Sequence, residues 1–337
     1  MSDQNISRRR FVGAATLALA GANALTAQSG NGQVPHRQLG CTGVSVSIIG
    51  VGGYHLGSAE DQKQAQMIVD EAIDAGINFF DNAWDYHNGR SEEWLGAALK
   101  GKRDRVVLMT KVCTHGRDKT VAMRMLEESL HRLQTDHLDV WQVHEVIYEN
   151  DPDLIFAPNG AAEALLQAKK DGKVRFVGFT GHKDPSIHLK MLAHDFPFDT
   201  VQMPLNCLDA TFRSFEQHVL PEANRRGIAV FGMKSMGGSG EIVRHGTATA
   251  AEALRYAMSL PVAVTISGME SPGVLAQNLE IARNFQPMTA AEMQALRDRC
   301  RFAASDGRYE LFKVTKKYDG DVGREQHGFP SSEELPI

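Results

Sequence analysis

The sequence of 337 residues predicts a (β/α)8 TIM barrel with an N-terminal β-hairpin and a C-terminal helix plus tail. Eight short apolar runs rich in β-branched residues alternate with longer segments of helical periodicity. The apolar residues of each run occupy consecutive positions, which is typical of parallel strands buried on both faces. Gly76, Gly172 and Gly227 each close a helical segment directly before the next strand, as short αβ loops require.

The predicted strands and helices follow one another at regular intervals. The strands cover residues 46–50, 77–80, 105–110, 138–143, 174–180, 200–203, 227–233 and 262–267. The helices cover residues 61–75, 91–99, 120–133, 160–170, 184–193, 215–226, 249–259, 271–283 and 289–301. Ser91 is expected to cap the second helix, with Glu92 and Glu93 in its positive first turn. A hairpin of residues 37–39 and 44–46 is expected to plug the barrel bottom, and no regular structure is expected in the tail.

A doubly wound sheet is the alternative fold, but the standard nucleotide motifs are missing. The stretch from Gly50 to His55 has a histidine where a dinucleotide fingerprint has its last glycine, and no helix is expected to open there. Residues 232–239 lack the Gly-Lys-Ser/Thr ending of a phosphate loop. These absences favour the barrel.

The first 27 residues are predicted to be a signal peptide rather than part of the fold. Three arginines, Arg8 to Arg10, precede Phe11 and an apolar, alanine-rich run with small residues at its exit. The arginines before phenylalanine resemble a twin-arginine signal, which implies the twin-arginine export machinery as a partner and a bacterial periplasmic location. The alternative is a cytosolic protein with a chance run of arginines. Residues 28–35 are predicted to be a linker, 36–287 the barrel, and 288–337 a C-terminal helix and extension.

Composition and charge restrict the class of protein. A net charge of -5 argues against nucleic-acid binding, which needs a basic surface. No stretch reaches the roughly 18 apolar residues of a membrane span. The four cysteines form no Cys-x-x-Cys pair, so no zinc motif is present and no metal is expected. Unpaired and mostly buried thiols are the default expectation.

Polar residues stand where three consecutive strands are predicted to end. Asp81 follows the second strand with Tyr86 five residues later, Lys111 ends the third strand, and His144 ends the fourth. In a barrel of this kind the chemistry lies at the carboxyl ends of the strands. An ammonium near a phenol is expected to lower its pKa, and a carboxylate is expected to hold that ammonium in place. Taken singly, each residue has a structural alternative: a capping aspartate, a rim tyrosine, a surface lysine or a core histidine.

This set of residues and the eight-unit order resemble the aldo-keto reductase superfamily, over roughly residues 37–287. The resemblance implies that Tyr86 is the general acid in carbonyl reduction. It implies that Lys111 and Asp81 tune the tyrosine and that His144 is a hydrogen-bond donor that orients the substrate. A nicotinamide cofactor, NADP or NAD, is implied across the barrel top.

The resemblance also maps cofactor contacts onto the loops that follow the strands. The implied residues are Gly52, Gly53, Tyr54, Thr180, Gly181, Gln202, Met233, Lys234, Ser235, Gly268, Ser271, Gln277 and Asn278. Thr180-Gly181 replaces a common Ser-Asn pair, and Met233 replaces a common aromatic residue. No arginine for the 2′-phosphate of NADP occurs near Val274, so the choice between NADP and NAD stays open. Lys234 is either an alternative phosphate ligand or a solvated side chain.

The substrate is expected to be a small carbonyl compound or the corresponding alcohol: an aldehyde, a ketone or a sugar-like molecule. Trp84, His87, Trp141 and Phe212 are candidates for the pocket, although such aromatic residues often serve packing. His182 and Lys183 either contact the substrate or belong to the segment that caps the next helix, and Asp184-Pro185 at the helix start favours the capping segment. Two other functions remain open on the same fold: a non-enzymatic nucleotide-binding sensor or regulatory subunit, and a sugar lyase or epimerase. The sequence leaves the oligomeric state open.

Overall fold

The computed structural model describes residues 32–113 and 117–335. The predicted signal, residues 1–27, and the first part of the predicted linker lie outside these ranges. Val34 is buried and its amide donates to the carbonyl of Ala75, so the end of the predicted linker belongs to the packed unit. None of the helices in the described ranges combines the length and the apolar character that crossing a bilayer requires.

Eight parallel strands close into a barrel, as predicted, and an antiparallel hairpin precedes them. The hairpin strands are β1 (His36–Gln38) and β2 (Ser45–Ser47). The barrel strands are β3 (Ile49–Gly52), β4 (Phe79–Asp81), β5 (Val107–Val112), β6 (Leu138–Val143), β7 (Val174–Thr180), β8 (Thr200–Pro204), β9 (Ala229–Met233) and β10 (Val264–Gly268). Each strand pairs with its sequence neighbour, and β10 closes the barrel on β3.

Helices connect the strands and continue after the barrel. They are α1 (Gly53–Leu56), α2 (Gln62–Asp74), α3 (Arg90–Ala98), α4 (Lys119–Arg132), α5 (Asp151–Ile155), α6 (Ala161–Lys170), α7 (Pro185–Ala193), α8 (Phe215–His218), α9 (Leu220–Arg225), α10 (Glu241–Arg244), α11 (Ala250–Ser259), α12 (Pro272–Arg283), α13 (Ala290–Cys300), α14 (Leu311–Val314) and α15 (Val322–Gln326). Short 3-10 helices cover Tyr86–Gly89, Arg103–Arg105 and Ser332–Glu334.

Local contacts overrode four sequence expectations. The predicted first strand, 46–50, is split, because Ser47 closes the hairpin and its hydroxyl donates to the carbonyl of Ile49. Helix α1 opens directly after β3, where no helix was expected. Ser91 is not a helix cap, because α3 begins at Arg90 and the Ser91 hydroxyl instead donates to the carbonyl of Gly53 at 2.6 Å. The predicted helix 215–226 is broken into α8 and α9 just before Pro221, which lacks the amide proton that would continue α8.

The barrel interior is filled by apolar side chains, with the hairpin at its bottom. Leu39 and Val46 of the hairpin region are fully buried against Phe79, Val264 and their neighbours inside the barrel. The rings of Phe79 and Phe231 pack edge to face at 4.9 Å between centroids. A larger apolar layer lies between the barrel and its helices. The prediction that the hairpin plugs the bottom is consistent with this packing, and the opposite end is left for polar residues.

The tail, residues 301–335, is ordered and packs on the barrel mouth, so the expectation of no regular structure is wrong. The ammonium of Lys313 is fully buried between Asp209 at 2.6 Å and Glu310 at 3.0 Å. Lys183 pairs with Asp319 of the tail at 2.7 Å. These paired charges, invisible to sequence periodicity, attach the tail to the loops that follow β7 and β8.

The four cysteines are free thiols within the described residues. Cys41 is exposed, whereas Cys113, Cys207 and Cys300 are buried. The sulfur atoms of Cys207 and Cys300 lie 3.9 Å apart, which is a contact rather than a bond. The default expectation of unpaired and mostly buried thiols agrees with these positions.

Candidate active site

Three neighbouring strands and one loop bring the four predicted catalytic residues together. Asp81 is the last residue of β4, Lys111 lies in β5, His144 directly follows β6, and Tyr86 begins the 3-10 turn after β4. Lys111 Nζ donates to Asp81 Oδ1 at 2.5 Å and to the carbonyl of Asn82 at 2.7 Å. The same nitrogen lies 3.4 Å from the Tyr86 hydroxyl. The result is a phenol beside a buried ammonium whose position is fixed by two oxygen acceptors.

The pKa of Tyr86 differs from the sequence expectation. Burial, followed by the charges of Asp81, Asp85 and Glu145, raises the pKa of Tyr86 well above its ordinary value. The expectation of a lowered pKa is therefore wrong. The main physical reason is burial, which disfavours the charged phenolate; in addition, Asp81 lies closer to Lys111 than Tyr86 does and offsets the charge of the ammonium. Tyr86 is consequently protonated at neutral pH.

Asp85, which the sequence reasoning missed, is the partner of His144. Its Oδ1 lies 3.2 Å from His144 Nδ1, and the two side chains are only 16% and 10% exposed. The His144 ring packs edge to face on the Tyr86 ring at 5.7 Å. Burial opposes the charged form of Asp85, but His144 holds the pKa of that carboxyl below its ordinary value. Its position immediately before Tyr86 was the signal available in the sequence.

The backbone of the segment that carries His144 is held by a buried arginine. Arg117 donates from its two terminal nitrogens to the carbonyls of His144 and Glu145, each at 2.8 Å. Its guanidinium pairs with Asp151 at 3.2 Å, and Asp151 accepts from the amide of Ile147. These bonds stabilise the left-handed conformation of Glu145, with φ 51°, which a non-glycine residue rarely adopts. Arg117 follows a predicted strand by several residues, and no motif in its local sequence predicted that it would bind the backbone next to His144.

Glu145 connects the site to the tail. Burial, Asp85 and Asp319 raise the pKa of Glu145 well above its ordinary value, which favours the neutral acid. Its carboxyl oxygens accept from the amide of Gly320 at 3.1 and 3.2 Å. A Cβ at Gly320 would lie 2.6 Å from that carboxyl, so glycine is needed for the close approach. The tail therefore contributes to the wall of the site next to His144.

A metal site beside His144 is weakly supported by the donor atoms present. Asp85, Cys113 and His144 each offer one donor atom, and these three atoms lie within 4.8 Å of one another. Burial, Asp85 and Glu145 raise the pKa of the Cys113 thiol well above its ordinary value, so a thiolate ligand is disfavoured. Asp85 and His144 already bond each other. The expectation of no metal centre stays a prediction.

The predicted cofactor residues lie in or after five of the barrel strands. Gly52 ends β3, and Gly53 and Tyr54 begin α1; Thr180 ends β7, and Gly181 follows it; Gln202 lies in β8; Met233 ends β9, and Lys234 and Ser235 follow it; Gly268 ends β10, Ser271 follows it, and Gln277 and Asn278 lie in α12. Three of them carry buried oxygens without a hydrogen-bond partner in the described residues: Thr180 Oγ1, Gln202 Oε1 and Asn278 Oδ1. Buried polar atoms are normally paired, so these oxygens fit a polar ligand that supplies donors.

Several predicted cofactor residues also have structural reasons of their own. A Cβ at Gly53 would lie 2.4 Å from the carbonyl of Asp81, and one at Gly181 would lie 2.1 Å from that of Val146. A Cβ at Gly268 would lie 2.5 Å from the ring of His55. These glycines are required by packing whether or not a ligand binds. Ser271 caps α12 by accepting from the amide of Val274, and Gln277 is exposed on the same helix.

The side chains of Lys234 and Tyr54 differ in their exposure at the barrel mouth. Lys234 has φ 54°, and its ammonium lies above the tail rings of Phe312 at 5.5 Å and Tyr318 at 4.8 Å. Burial lowers the pKa of Lys234 to about 8. Tyr54 is 53% exposed and meets Tyr86 edge to face at 5.5 Å. Tyr54 is therefore available to a ligand, whereas Lys234 is half-buried against two rings of the tail.

The expected pocket and capping residues are only partly placed as predicted. Trp141 is fully buried in the apolar layer, so it is not a pocket residue. The indole of Trp84 donates to Glu128 at 2.7 Å, and His87 bonds the carbonyl of Tyr54. Phe212 lies next to Gly307 of the tail.

The helix cap before α7 is formed by Asp184, which accepts from the amide of Ser186. His182 and Lys183 turn instead toward Asp319 of the tail. Their expected capping role is therefore wrong, because the tail offers a buried carboxylate that the sequence alone did not place there.

The fold and site define a class of parallel (β/α)8 barrels with a tyrosine–lysine–aspartate–histidine cluster at the mouth. A profile of the aldo/keto reductase family matches residues 48–242, more than half of the chain. The chain therefore belongs to the aldo/keto reductase family.

Individual relatives match over part of their length. Identity is 33% over 197 residues with the aldo-keto reductase YhdN of Bacillus subtilis, covering 54% of this chain and 56% of the relative. It is 36% over 157 residues with L-galactose dehydrogenase of Arabidopsis thaliana, covering 43% and 48%. The chain thus spans about half the length of these curated relatives. The holo form of aldo-keto reductase AKR11C1 from Bacillus halodurans superposes with a TM-score of 0.69 at 25% identity, covering 82% of this chain and 100% of that chain.

Proposed function

We propose that this chain is an oxidoreductase that transfers a hydride between a nicotinamide cofactor and a carbonyl or alcohol group. The proposal depends mainly on one observation: the Tyr86 hydroxyl lies 3.4 Å from Lys111 Nζ, whose ammonium is buried and paired with Asp81. A phenol next to a fixed ammonium can give its proton to an oxygen on which negative charge develops. Membership of the aldo/keto reductase family supports this class of reaction.

The hydrogen bonds of Lys111 explain how it would assist Tyr86. An ammonium has three N–H groups. Two of them are taken by Asp81 Oδ1 and by the carbonyl of Asn82, which leaves the third for the Tyr86 hydroxyl. As the proton leaves Tyr86, this N–H stabilises the phenolate. Because the raised pKa keeps Tyr86 protonated, reduction starts from the resting site, whereas alcohol oxidation requires alkaline pH to form the phenolate.

The cofactor would be NAD or NADP, which supplies the hydride when bound. The unpartnered oxygens of Thr180, Gln202 and Asn278 would accept from its amide and hydroxyl donors. Glu270 is the only charged residue in the segment 268–278. A carboxylate in this segment, together with the absence of an arginine from it, disfavours the 2′-phosphate of NADP, so we propose NAD as the preferred cofactor.

The substrate would be a small carbonyl compound, and two observations favour one that carries hydroxyl groups. Polar side chains lie beside Tyr86 at the barrel mouth: the His144 ring packs on the Tyr86 ring, and Asp85 pairs with His144. The relatives include L-galactose dehydrogenase and 6-dehydroglucose reductase, both named for sugars or sugar derivatives.

We also propose that the first 27 residues direct export through the twin-arginine machinery to the periplasm. The support is the order of Arg8 to Arg10, Phe11 and the apolar run in the sequence. Expression of the full chain in a bacterium, with and without its twin-arginine translocase, tests this directly. Unchanged distribution between periplasm and cytoplasm would contradict it.

The central experiment compares the full chain with Tyr86→Phe, using nitrobenzaldehyde with NADH or NADPH. Loss of the proton donor is expected to lower kcat at least about 100-fold. Nucleotide binding, followed by fluorescence, is expected to stay intact. Tyr309→Phe is the matched control, because that ring stacks on His245 and its hydroxyl makes no hydrogen bond within the described residues. Near-normal turnover in Tyr86→Phe would overturn the proposed role, and absence of nucleotide binding would overturn the proposed class.

A further inference from the structure

Cys207 and Cys300 are two buried thiols whose sulfur atoms are in contact at 3.9 Å. Cys207 lies in the loop after β8, and Cys300 is the last residue of α13. The contact thus joins a loop at the barrel mouth to a helix of the C-terminal extension, 93 positions apart in the sequence. Neither thiol belongs to the cluster around Tyr86.

The two sulfur atoms need little movement to bond each other. The sulfurs of a disulfide are about 2.05 Å apart, so those of Cys207 and Cys300 must approach by about 2 Å. Rotation about the Cα–Cβ bonds of both cysteines moves the sulfurs while the main chain stays in place. The other two thiols of the described chain are placed differently, because the Cys113 sulfur contacts the carboxyl of Glu145 and Cys41 is exposed.

The surroundings make Cys300 the more reactive of the two thiols. The contact with Cys207, together with the charge of Arg299, lowers the pKa of the Cys300 thiol, although burial opposes this. The contact with Cys300 and burial raise the pKa of the Cys207 thiol. The thiolate is the form that attacks an oxidant, so Cys300 reacts first and Cys207 second.

Few buried side chains hold α13, so a small oxidant can reach Cys300. Leu296 and Cys300 are the buried residues of this helix, whereas Arg299 and Arg301 on either side of Cys300 are exposed. A helix end with so little buried apolar surface opens locally while the rest of the chain stays folded. Such an opening admits hydrogen peroxide, which is a molecule of two heavy atoms.

We propose that Cys207 and Cys300 form a disulfide when the protein meets hydrogen peroxide, and that this bond fastens α13 to the loop after β8. Cys300 attacks one peroxide oxygen: an S–O bond forms, the O–O bond breaks, and the departing hydroxide takes up the Cys300 proton as water. The Cys207 sulfur then attacks the sulfur of the resulting sulfenic acid, and the second oxygen leaves as water with the Cys207 proton. The two thiols lose two electrons in total, and one peroxide is reduced to two waters.

The disulfide acts on the loop that anchors the tail. Asn206, next to Cys207, donates to Glu310 of the tail at 2.9 Å and accepts from the amide of Asp209 at 3.1 Å. Glu310 and Asp209 are the carboxyls that pair with buried Lys313. The bond also restricts the unfolded chain, because it joins residues 93 positions apart. The oxidised protein is therefore more stable than the reduced one.

The first test is peptide mapping of the reduced full chain after treatment with hydrogen peroxide. Free thiols are alkylated in urea, and the chain is then digested without reductant. A linked pair of peptides carrying Cys207 and Cys300 is expected, about 2 Da lighter than the two free peptides together. Cys113→Ser is the matched control, since loss of another buried thiol should leave this link intact. Alkylation of both Cys207 and Cys300, or their linkage to other cysteines, would overturn the inference.

The second test examines the order of attack with single variants. In Cys207→Ser, oxidation of Cys300 is expected to stop at the sulfenic acid, which dimedone traps for mass spectrometry. In Cys300→Ser, Cys207 is expected to give much less of this adduct. Equal trapping in the two variants would contradict the assigned order.

The third test compares urea unfolding of the peroxide-treated and reduced proteins. The link is expected to raise the urea midpoint of the unmodified chain by on the order of 1 M and to leave that of Cys207→Ser unchanged. A linked protein with an unchanged midpoint would refute the claim that the bond fastens α13 to the barrel.

Discussion

The buried pair of Asp81 and Lys111 gives the most demanding test of how the site is built. The two charged atoms are 2.5 Å apart, and the side chains are 4% and 1% exposed. At an effective dielectric constant of about 20, unit charges at that distance attract by roughly 7 kcal/mol. Burial opposes this attraction, and it raises the pKa of Asp81 although Lys111 acts in the other direction. The net value of the pair is therefore much smaller than the attraction.

The perturbation is a double-mutant cycle of Asp81→Asn, Lys111→Met and the two together. Each single change leaves one buried charge without its partner and is expected to lower the free energy of unfolding by about 3–5 kcal/mol. The double variant leaves neither charge buried. Its loss of unfolding free energy is therefore expected to be smaller, by roughly 3 kcal/mol, than the sum of the losses in the two single variants. All three variants should lose carbonyl reduction, because each disturbs the ammonium beside Tyr86.

The assay is urea unfolding followed by circular dichroism near neutral pH, with activity measured on the same samples. A matched control is the exposed pair Lys190–Asp153, at 2.8 Å with side chains 38% and 62% exposed. The cycle of Lys190→Met and Asp153→Asn is expected to give a coupling below about 1 kcal/mol. If the losses at Asp81 and Lys111 add to within about 0.5 kcal/mol, the reasoning about a coupled buried pair is refuted.

Three further predictions concern residues around the site. Burial lowers the pKa of fully buried His188 to about 4. As pH falls, the unfolded chain therefore takes up this proton before the folded chain does, and the free energy of unfolding decreases between about pH 6.5 and 4. By pH 5 the decrease is about 2 kcal/mol. His188→Gln should remove this decrease, which is measured by urea unfolding near neutral pH and at about pH 5. Arg117→Lys keeps a charge for Asp151 but cannot hold two carbonyls, so kcat should fall about tenfold with KM little changed; equal kcat would refute its positioning role. Lys313→Met leaves Asp209 and Glu310 buried without their counter-ion and should lower the unfolding free energy by about 3–5 kcal/mol, whereas the exposed Lys317→Met should not.

The sequence was informative wherever a pattern repeats with the period of a regular element. Short, mostly apolar runs at 138–143 and 174–180 predicted β6 and β7 with the observed bounds, because strands covered on both faces carry apolar residues at successive positions rather than in alternation. The same logic located Asp81, Lys111 and His144 at strand ends. A parallel barrel brings all its strand ends to one rim, so position along the chain already implied proximity.

Contacts between segments distant in the chain were beyond such patterns. Ser91 looked like a helix cap, but its hydroxyl is taken by the carbonyl of Gly53, 38 residues earlier. Likewise, the pKa of Tyr86 rises rather than falls, because burial and the carboxylates of Asp81, Asp85 and Glu145 outweigh one neutralised ammonium. Desolvation depends on everything packed around a group, which no local spacing records.

By itself, then, the sequence determined the barrel, its hairpin and the positions of the four clustered residues, since each follows from periodicity and strand order. Only the tertiary structure decided that Asp85 pairs with His144 and that Arg117 donates to the backbone carbonyl of Glu145. It also decided that the tail contacts the Glu145 carboxyl through the amide of Gly320. These contacts join separate elements of the chain, and their energies arise from burial and charge pairing that exist only once the chain is packed.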